Sequence, residues 1–305
     1  MQYLEYLNQR HPIRRSEEQK AAFRKYVLDE AKKQQLSARV ELTKDGKNQN
    51  LVVGEPEGAE VIFTAHYDTP ARSPFPNLMI PRNKPLFFLY QFLPITLLLA
   101  FSLGLSYLIG MVWLCDTTVY MLSFLVLYYG GFFLGFRTFS NKNNANDNTS
   151  GVATLLELMS RLPNEEKSKV AFLFFDNEKK GKKGSKAYVA DHKDAMENRL
   201  IVNFDCVGNG KHIVFIAKDG AEQLPAYARL KQSTIEKDGF TVSFYGMKGS
   251  ESNSDYKNFP CGVGCMACKQ TKKGLLYTPY IHTNRDVVAN QENIDFLVES
   301  FLENF

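Results

Sequence analysis

Residues 86–136 carry a single charged side chain, Asp116, and a chain with that interruption is not expected to fold as one ordinary soluble domain. A helix needs about 20 apolar residues to cross the hydrocarbon core of a bilayer. Residues 86–114 and 117–136 each supply that length on either side of Asp116. The run is therefore predicted to be a two-helix transmembrane hairpin inside an inserted segment, 82–137, with the lipid bilayer as its partner over 86–136. Arg72, Arg82 and Lys84 precede it, Arg137 and Lys142 follow it, and no Lys or Arg lies between. That bias places both flanks in the cytoplasm. A greasy lid or subunit interface is the competing reading, and so long an uncharged stretch argues against it.

Outside the insertion about 250 residues remain, in 1–81 and 138–305, within the range of one large domain. The net charge of +4 is mild. No arginine-rich or basic-aromatic segment points to nucleic acid, which is not expected as a partner. Anionic headgroups are the expected acidic surface. The first five residues lack the basic-then-apolar layout of a signal peptide, so the first 80 residues are expected in the cytosol. Five cysteines are too few and too uneven for a disulfide framework and fit a reducing compartment. Cys261, Cys265 and Cys268 read as lining a buried strand. Nothing in the sequence sets an oligomeric state.

Ser16-Glu17-Glu18-Gln19 has the form of a capping box, opening a helix with Ala22, Phe23, Tyr26, Val27 and Ala31 on one face. Residues 39–42 and 51–53 flank the turn-like Asp45-Gly46-Lys47 and predict a hairpin. Three apolar runs, 61–65, 170–175 and 200–204, predict buried strands, and 151–162 predicts a helix with Val152, Leu155, Leu156, Met159 and Leu162 facing inward. Strands separated by helices imply an α/β fold, a mostly parallel (mixed) central sheet with helices on both faces.

Each buried run ends in chemistry. His66-Tyr67-Asp68 follows the first, Asp176-Asn177-Glu178 the second and Asp205 the third, where ligand sites form in open α/β sheets. Asp147 stands just ahead of the helix at 151, and a late loop supplies His282. Imidazoles and carboxylates on one rim are the donor set that zinc favours.

In these residues the sequence resembles the zinc exopeptidases that include bacterial leucyl aminopeptidase, glutamate carboxypeptidase, glutaminyl cyclase and the transferrin receptor ectodomain. His66-Tyr67-Asp68 is similar to H-x-D, Asn146 to Gly151 to N-D-N-x-S-G, and Asn177 to Ser185 to x-E-E-x-G-x-x-G-S. Ser254-Asp255-Tyr256 with Phe259 resembles S-D-H-x-x-F, and His282 to Asp286 resembles H-T-x-x-D. The resemblance implies the zinc-exopeptidase (phosphorylase/hydrolase-like) fold. It implies metal ligands His66, Asp147, Asp205 and His282, with Glu178 as general base and Asp68 orienting His66 in the catalytic site.

Lys179 departs from the pattern, standing where the resemblance implies a carboxylate ligand of a second metal. One bound zinc ion is therefore expected, two remaining open if Asp176 or Glu251 completes the second site. The expected protein is a membrane-anchored zinc-dependent exopeptidase of the aminopeptidase type, a single catalytic metallopeptidase domain hydrolysing short peptides through a metal-activated water. The alternatives are a catalytically silent binding or scaffolding module and a glutaminyl-cyclase-like acyl-transfer enzyme.

Overall fold

The computed structural model describes residues 2–73, 77–113, 116–135, 139–234, 237 and 239–303. Leu114, Cys115, Phe136 and Arg137, which enter the hairpin reading, lie outside the described residues. The chain opens with helices α1 (Tyr3–Arg10) and α2 (Glu17–Lys33). The second starts where the capping box predicts, because Ser16 Oγ accepts the Gln19 amide at 3.3 Å and Gln19 Oε1 accepts the Ser16 amide at 3.0 Å. Strands β1 (Ala38–Leu42) and β2 (Gln49–Val53) form an antiparallel hairpin whose loop includes Gly46 at φ +68°. Strand β3 (Val61–His66) and the short β4 (Leu78–Met79) precede α3 (Lys84–Val112) and α4 (Thr117–Phe133).

After the insertion come α5 (Gly151–Arg161), β5 (Val170–Phe175), α6 (Lys183–Asp191), β6 (Leu200–Phe204) and β7 (His212–Ala217). Then follow α7 (Asp219–Glu222), α8 (Pro225–Ser233), β8 (Thr241–Gly246), β9 (Gly262–Gln270), β10 (Leu276–Pro279) and α9 (Gln291–Leu302). The strands make one sheet in the order β1-β2-β5-β3-β6-β9-β10-β4, with β7 joining β9 and β8 joining β7. This is the expected mixed α/β fold with a central sheet, although parallel pairing does not predominate and β7 also pairs antiparallel with β9. Parallel pairing is confined to the central β5-β3-β6-β9 quartet and to β7–β8, while β1, β2, β4 and β10 pair antiparallel. The cause is the hairpin at one edge and the direct returns from β9 at the other, neither of which has a crossover helix.

Alternation along the strands divides the core between two faces. Val61, Phe63 and Ala65 of β3 pack with residues of α2, α5 and α9, whereas Ile62 faces Leu173, Phe175, Tyr188 and Ile201 on the other side. Phe63 is the centre of the larger layer, with ring centroids 6.0 Å from Phe172, 5.8 Å from Phe204 and 4.9 Å from Phe301.

Helices α3 and α4 lie against each other in antiparallel fashion. A Cβ on Gly131 would come within 2.8 Å of Leu98, and one on Gly110 within 3.4 Å of Tyr120, so both glycines serve close approach. Phe92, Phe101, Tyr107 and Val126 point outward and are exposed. Asp116 caps α4 by accepting the Thr118 amide at 2.7 Å. The expectation of two spanning helices is supported only for α3, which alone among the described helices, with 29 residues, is long and apolar enough to cross a membrane. The described α4 stops at Phe133 after 17 residues.

Phe63→Ala is expected to destabilise the fold by about 3–5 kcal/mol through the cavity left among three aromatic rings. Urea unfolding of the detergent-solubilised chain, followed by far-UV circular dichroism, checks this, and a loss under about 1 kcal/mol would place the core elsewhere.

Candidate functional site

Parallel pairing brings the site together. In the β3–β5 register His66 lies opposite Phe175, so the chain leaving β5 reaches Asp176 to Glu178 beside the imidazole, and β6, on the other side of β3, delivers Asp205. Asn177 takes a left-handed conformation, φ +53°, that turns the chain sharply into a single helical turn at Glu178–Lys180. Asp147 enters from the opposite side in the turn Ala145–Ser150, just ahead of α5. Asn148 ties that turn to the end of β6, its Nδ2 donating to the Phe204 carbonyl at 2.9 Å while its Oδ1 accepts the Gly151 amide at 3.1 Å. Gly151 cannot carry a side chain there, since a Cβ would meet the Phe204 oxygen at 2.4 Å.

His66 Nε2 is the centre of the cluster, 3.3 Å from Asp147 Oδ1, 3.8 Å from Asp205 Oδ1 and 3.9 Å from Glu178 Oε2. His66 Nδ1 is 3.0 Å from the Asp68 backbone carbonyl. A carbonyl only accepts, so a proton sits on Nδ1 and Nε2 is the nitrogen turned to the carboxylates. The Asp68 side chain has a second role beside the one the resemblance implies. Its Oδ1 stays 3.6 Å from His66 Nδ1, and the two oxygens accept the amides of Glu178 at 2.9 Å and Lys179 at 3.1 Å. The carbonyl of Asp68 orients the imidazole, and its carboxylate fixes the turn that carries Glu178.

Other residues serve the same scaffold: Asp286 and Ser254, which lie in the resembling motifs but have no role assigned there, and Lys20, which the sequence does not single out. Asp286 accepts the amides of Asn146 and Asp147, both at 2.9 Å. Ser254 Oγ donates to Asp205 Oδ2 at 2.7 Å. The buried Lys20 ion-pairs with Asp176 and donates to Asn177 Oδ1 at 2.8 Å, anchoring the turn before Glu178 to α2. Lys20 sits one turn after a capping box, a position that by sequence reads as surface.

Asp147 is the most heavily contacted carboxylate. Its Oδ2 is 2.8 Å from His282 Nε2, and its Oδ1 is 2.8 Å from Lys179 Nζ, which also lies 3.1 Å from Glu178 Oε2. The ammonium is at ion-pair distance, yet neither Asp147 Oδ1 nor Glu178 Oε2 gains an aligned hydrogen bond from it. Asp176, held by Lys20, and Glu251, paired with Lys257, do not join this cluster. His282 is held by the root of the insertion: Ser73 donates its amide to the His282 carbonyl at 2.7 Å, and Asn77 Nδ2 lies 3.3 Å from His282 Nδ1. Gln91 of α3 donates to Asn77 Oδ1 at 3.3 Å. Both links are primary amides, so the Gln91–Asn77 chain can run in either direction and present a donor or an acceptor to the imidazole.

The electrostatics call for positive charge. Burial would raise Asp147, but Lys179 and His282 hold it well below the usual carboxylate range. Burial likewise would raise Asp205, and His66 and Lys179 bring it down to about 2. Burial and Lys179 push the His66 imidazole down, yet Glu178, Asp147 and Asp205 hold it well above its ordinary value. The three ligand atoms of His66, Asp147 and Asp205 lie within 4.8 Å of one another and are buried. With metal–donor lengths of about 2.0–2.2 Å, a tetrahedral zinc site has ligand edges of about 3.3–3.6 Å, near the 3.3 and 3.8 Å from His66 Nε2 to the two aspartates. His66 Nε2 and Asp147 Oδ1 lack hydrogen-bond partners, as expected of ligand atoms. One imidazole and two carboxylates therefore fit a zinc ion.

The sequence profile of peptidase family M28 matches residues 134–298, more than half of the chain. The chain belongs to peptidase family M28. The matched span holds Asp147, Glu178, Asp205 and His282, while His66 and Asp68 precede it. Solved M28-like folds overlay on nearly the whole molecule. The Legionella pneumophila LapA aminopeptidase aligns with a TM-score of 0.57 at 13% identity, covering 99% of this chain and 69% of that one. A Zn-dependent exopeptidase from Parabacteroides distasonis gives 0.55 at 14%, covering 99% and 94%. Porphyromonas gingivalis glutaminyl cyclase gives 0.59 at 12%, again covering 99% and 94%. At these identities the likeness shows the fold alone. No curated protein sequence matches the chain.

Asp68→Ala should release the turn that carries Glu178 beside His66. A hydrogen bond to a charged acceptor contributes about 1.5–3 kcal/mol, so the Glu178 and Lys179 amides should exchange roughly 10–100 times faster. Hydrogen exchange read by mass spectrometry on the 177–183 peptide decides, and unchanged protection would mean the turn is held by Lys20 alone.

Proposed function

We propose that this chain is a membrane-anchored, zinc-dependent exopeptidase of the aminopeptidase type that hydrolyses short peptides with one metal ion per chain. The observation that carries this reading is the convergence of His66, Asp147 and Asp205 on a point that Glu178 also faces. His66, Asp147 and Asp205 would hold the ion. Bound zinc supplies a Lewis acid for the scissile carbonyl and lowers the pKa of water to about 7. Glu178 Oε2, buried and without a hydrogen-bond partner, is placed to take the proton of the attacking water and return it to the leaving amine. Lys179 brings a positive charge beside the reacting carbonyl, where negative charge develops. The same ammonium, 2.8 Å from Asp147 Oδ1, repels a second divalent ion at the spacing of about 3.5–4 Å that two-metal sites use.

Residues 82–137 are proposed as an anchor inserted into one catalytic domain made of 1–81 and 138–305, with the site facing the cytoplasm. Helix α3 is long enough for a full span, and α4, at 17 residues, is at the short limit of about 17–25 residues. The Lys and Arg residues on both flanks set the orientation.

Elemental analysis and peptide hydrolysis on the purified chain and two variants test the chemistry together. Wild type should hold about one zinc, and Glu178→Gln should keep it while turnover falls by about 10²–10⁴, the usual general-base contribution. Lys179→Glu should move the stoichiometry toward two. Two metals in the wild type would sink the single-ion mechanism, and none after zinc loading would favour a silent binding module. For topology, Asp116→Cys in a Cys115→Ser background should react with an impermeant maleimide added outside intact cells, whereas Lys47→Cys and Lys237→Cys should not. The opposite pattern would reverse the orientation.

A further inference from the structure

Two contacts set the register of α3 against α4: a Cβ on Gly131 would meet Leu98, and one on Gly110 would meet Tyr120. Phe133, where α4 ends, is therefore level with about Thr96, and residues 84–95 of α3 run on past α4 for about 18 Å. This stretch carries apolar side chains on two opposite sides. Phe88, Leu89, Phe92 and Leu93 lie on one and are exposed. Phe87, Tyr90, Gln91 and Pro94 lie on the other by helical spacing, where Phe87 is buried and the other three line a cavity of about 410 Å³. A helix with apolar residues all round is covered on every side. The catalytic domain covers the inner side, and lipid, on the anchor reading, covers the outer.

The volume of this cavity falls in the range of small-ligand sites, and the chemistry derived above leaves it unused. Tyr90, Pro94 and Ile95 of α3 with Phe132 of α4 make an apolar wall. The wall runs into the exposed face through Ile95, whose helical neighbours Phe92 and Leu99 are both exposed. Asn77, Gln91, Lys179 and His282 line this cavity and also a smaller one, about 170 Å³, that contains Asp147, Glu178 and Asp205. The larger cavity thus adjoins both the reacting groups and an apolar surface of the insertion, a layout for a ligand with a polar head and a long apolar tail. Its wall also has a defined depth on the anchor reading. At 17 residues α4 is about 25 Å long and crosses most of a hydrocarbon core about 30 Å thick, so Phe132 in its last turn stands at the cytoplasmic edge of that core.

We propose that this cavity takes the alkyl tail of an amphiphilic peptide drawn from the bilayer, with the peptide's free N-terminus in the smaller cavity and its tail against Tyr90, Pro94, Ile95 and Phe132. This assignment rests on the membrane-anchored exopeptidase reading and names its substrate class: peptides with a long-chain lipid group on the side of the leaving amine. Each methylene taken from lipid into water weakens partition about fourfold. A wall at the hydrocarbon edge spares the tail that passage, and the insertion is then part of the substrate site as well as an anchor. Hydrolysis adds one water across the amide. The water oxygen bonds the aminoacyl carbon, the C–N bond breaks, and the departing nitrogen takes the proton held by Glu178, leaving a free amino acid and the tailed amine.

The test uses the full zinc-loaded chain in lipid nanodiscs. Burial of a methylene is worth about fourfold, so kcat/KM for leucine decylamide should exceed that for leucine ethylamide by about tenfold or more. Ile95→Trp, which fills the wall, should cut that ratio by about tenfold, whereas Leu93→Trp on the outer side of the same helix should not change it. A ratio that survives Ile95→Trp would mean that the bilayer merely concentrates the substrate, and would overturn the assignment. Independently of turnover, a leucine alkylamide with a diazirine in mid-tail should label Tyr90, Ile95 and Phe132, located by fragment mass spectrometry, and leucine decylamide should displace the label. Labelling confined to Phe88, Leu89, Phe92 and Leu93 would put the tail in bulk lipid and overturn the assignment too. Either negative result with leucine ethylamide still hydrolysed leaves the exopeptidase intact. Displaceable labelling of the inner residues without hydrolysis of any amide would uphold the tail site and refute the exopeptidase reading.

Discussion

Asp147 is buried with both carboxylate oxygens committed, Oδ1 toward His66 and Lys179 and Oδ2 toward His282. Burying a carboxylate costs several kcal/mol unless positive charge comes with it. The surrounding structure meets that demand. The ends of β3 and β6 supply His66 and Asp205, the turn after β5 supplies Lys179, and the loop after β10 supplies His282. Asp286 holds the Asp147 backbone, so the carboxylate cannot relax away from the cations around it. A divalent ion at His66 would complete the same balance, which is why a zinc-binding set and a lysine can share one oxygen.

The α3–α4 pair is joined to this balance rather than appended to it. Its two roots bond to each other, Arg72 donating its amide to the Phe139 carbonyl at 2.8 Å, and Asn141 Nδ2 donates to the Thr283 carbonyl at 2.9 Å. Ser73 and Asn77 then hold His282 from its backbone and from its ring. Through Gln91 the first turns of α3 reach the same imidazole. Movement of α3 and α4 relative to the sheet therefore changes the hydrogen bonds of a residue that contacts Asp147, a physical route from these two helices to the site.

Much of this was legible in the sequence wherever the cause is local. The capping box at Ser16, the apolar runs that became β3, β5 and β6, and the acidic or imidazole residue after each depend on near neighbours and on periodicity. So does the departure at Lys179, which the motif order exposed. How much of the mixed sheet is antiparallel was not legible, because the apolar pattern marks a strand as buried but carries no sign of its direction.

Tertiary structure alone decided which atoms of the recognised residues act. The sequence places Asp68 two residues after His66, but only the folded turn shows that its carbonyl orients the ring while its carboxylate holds Glu178 and Lys179. Asn77 and Gln91 are separated from His282 by about two hundred residues, and Lys20 from Asp176 by a similar stretch. Such pairs are set by sheet register and by where the insertion emerges. No local propensity encodes them, since each is a polar side chain of unremarkable spacing until the fold removes water from around it. What the sequence by itself determined was the inventory of donors and cations on the strand ends. Their partners followed from burial, because a buried polar group must find a partner and the fold fixes which ones are within reach.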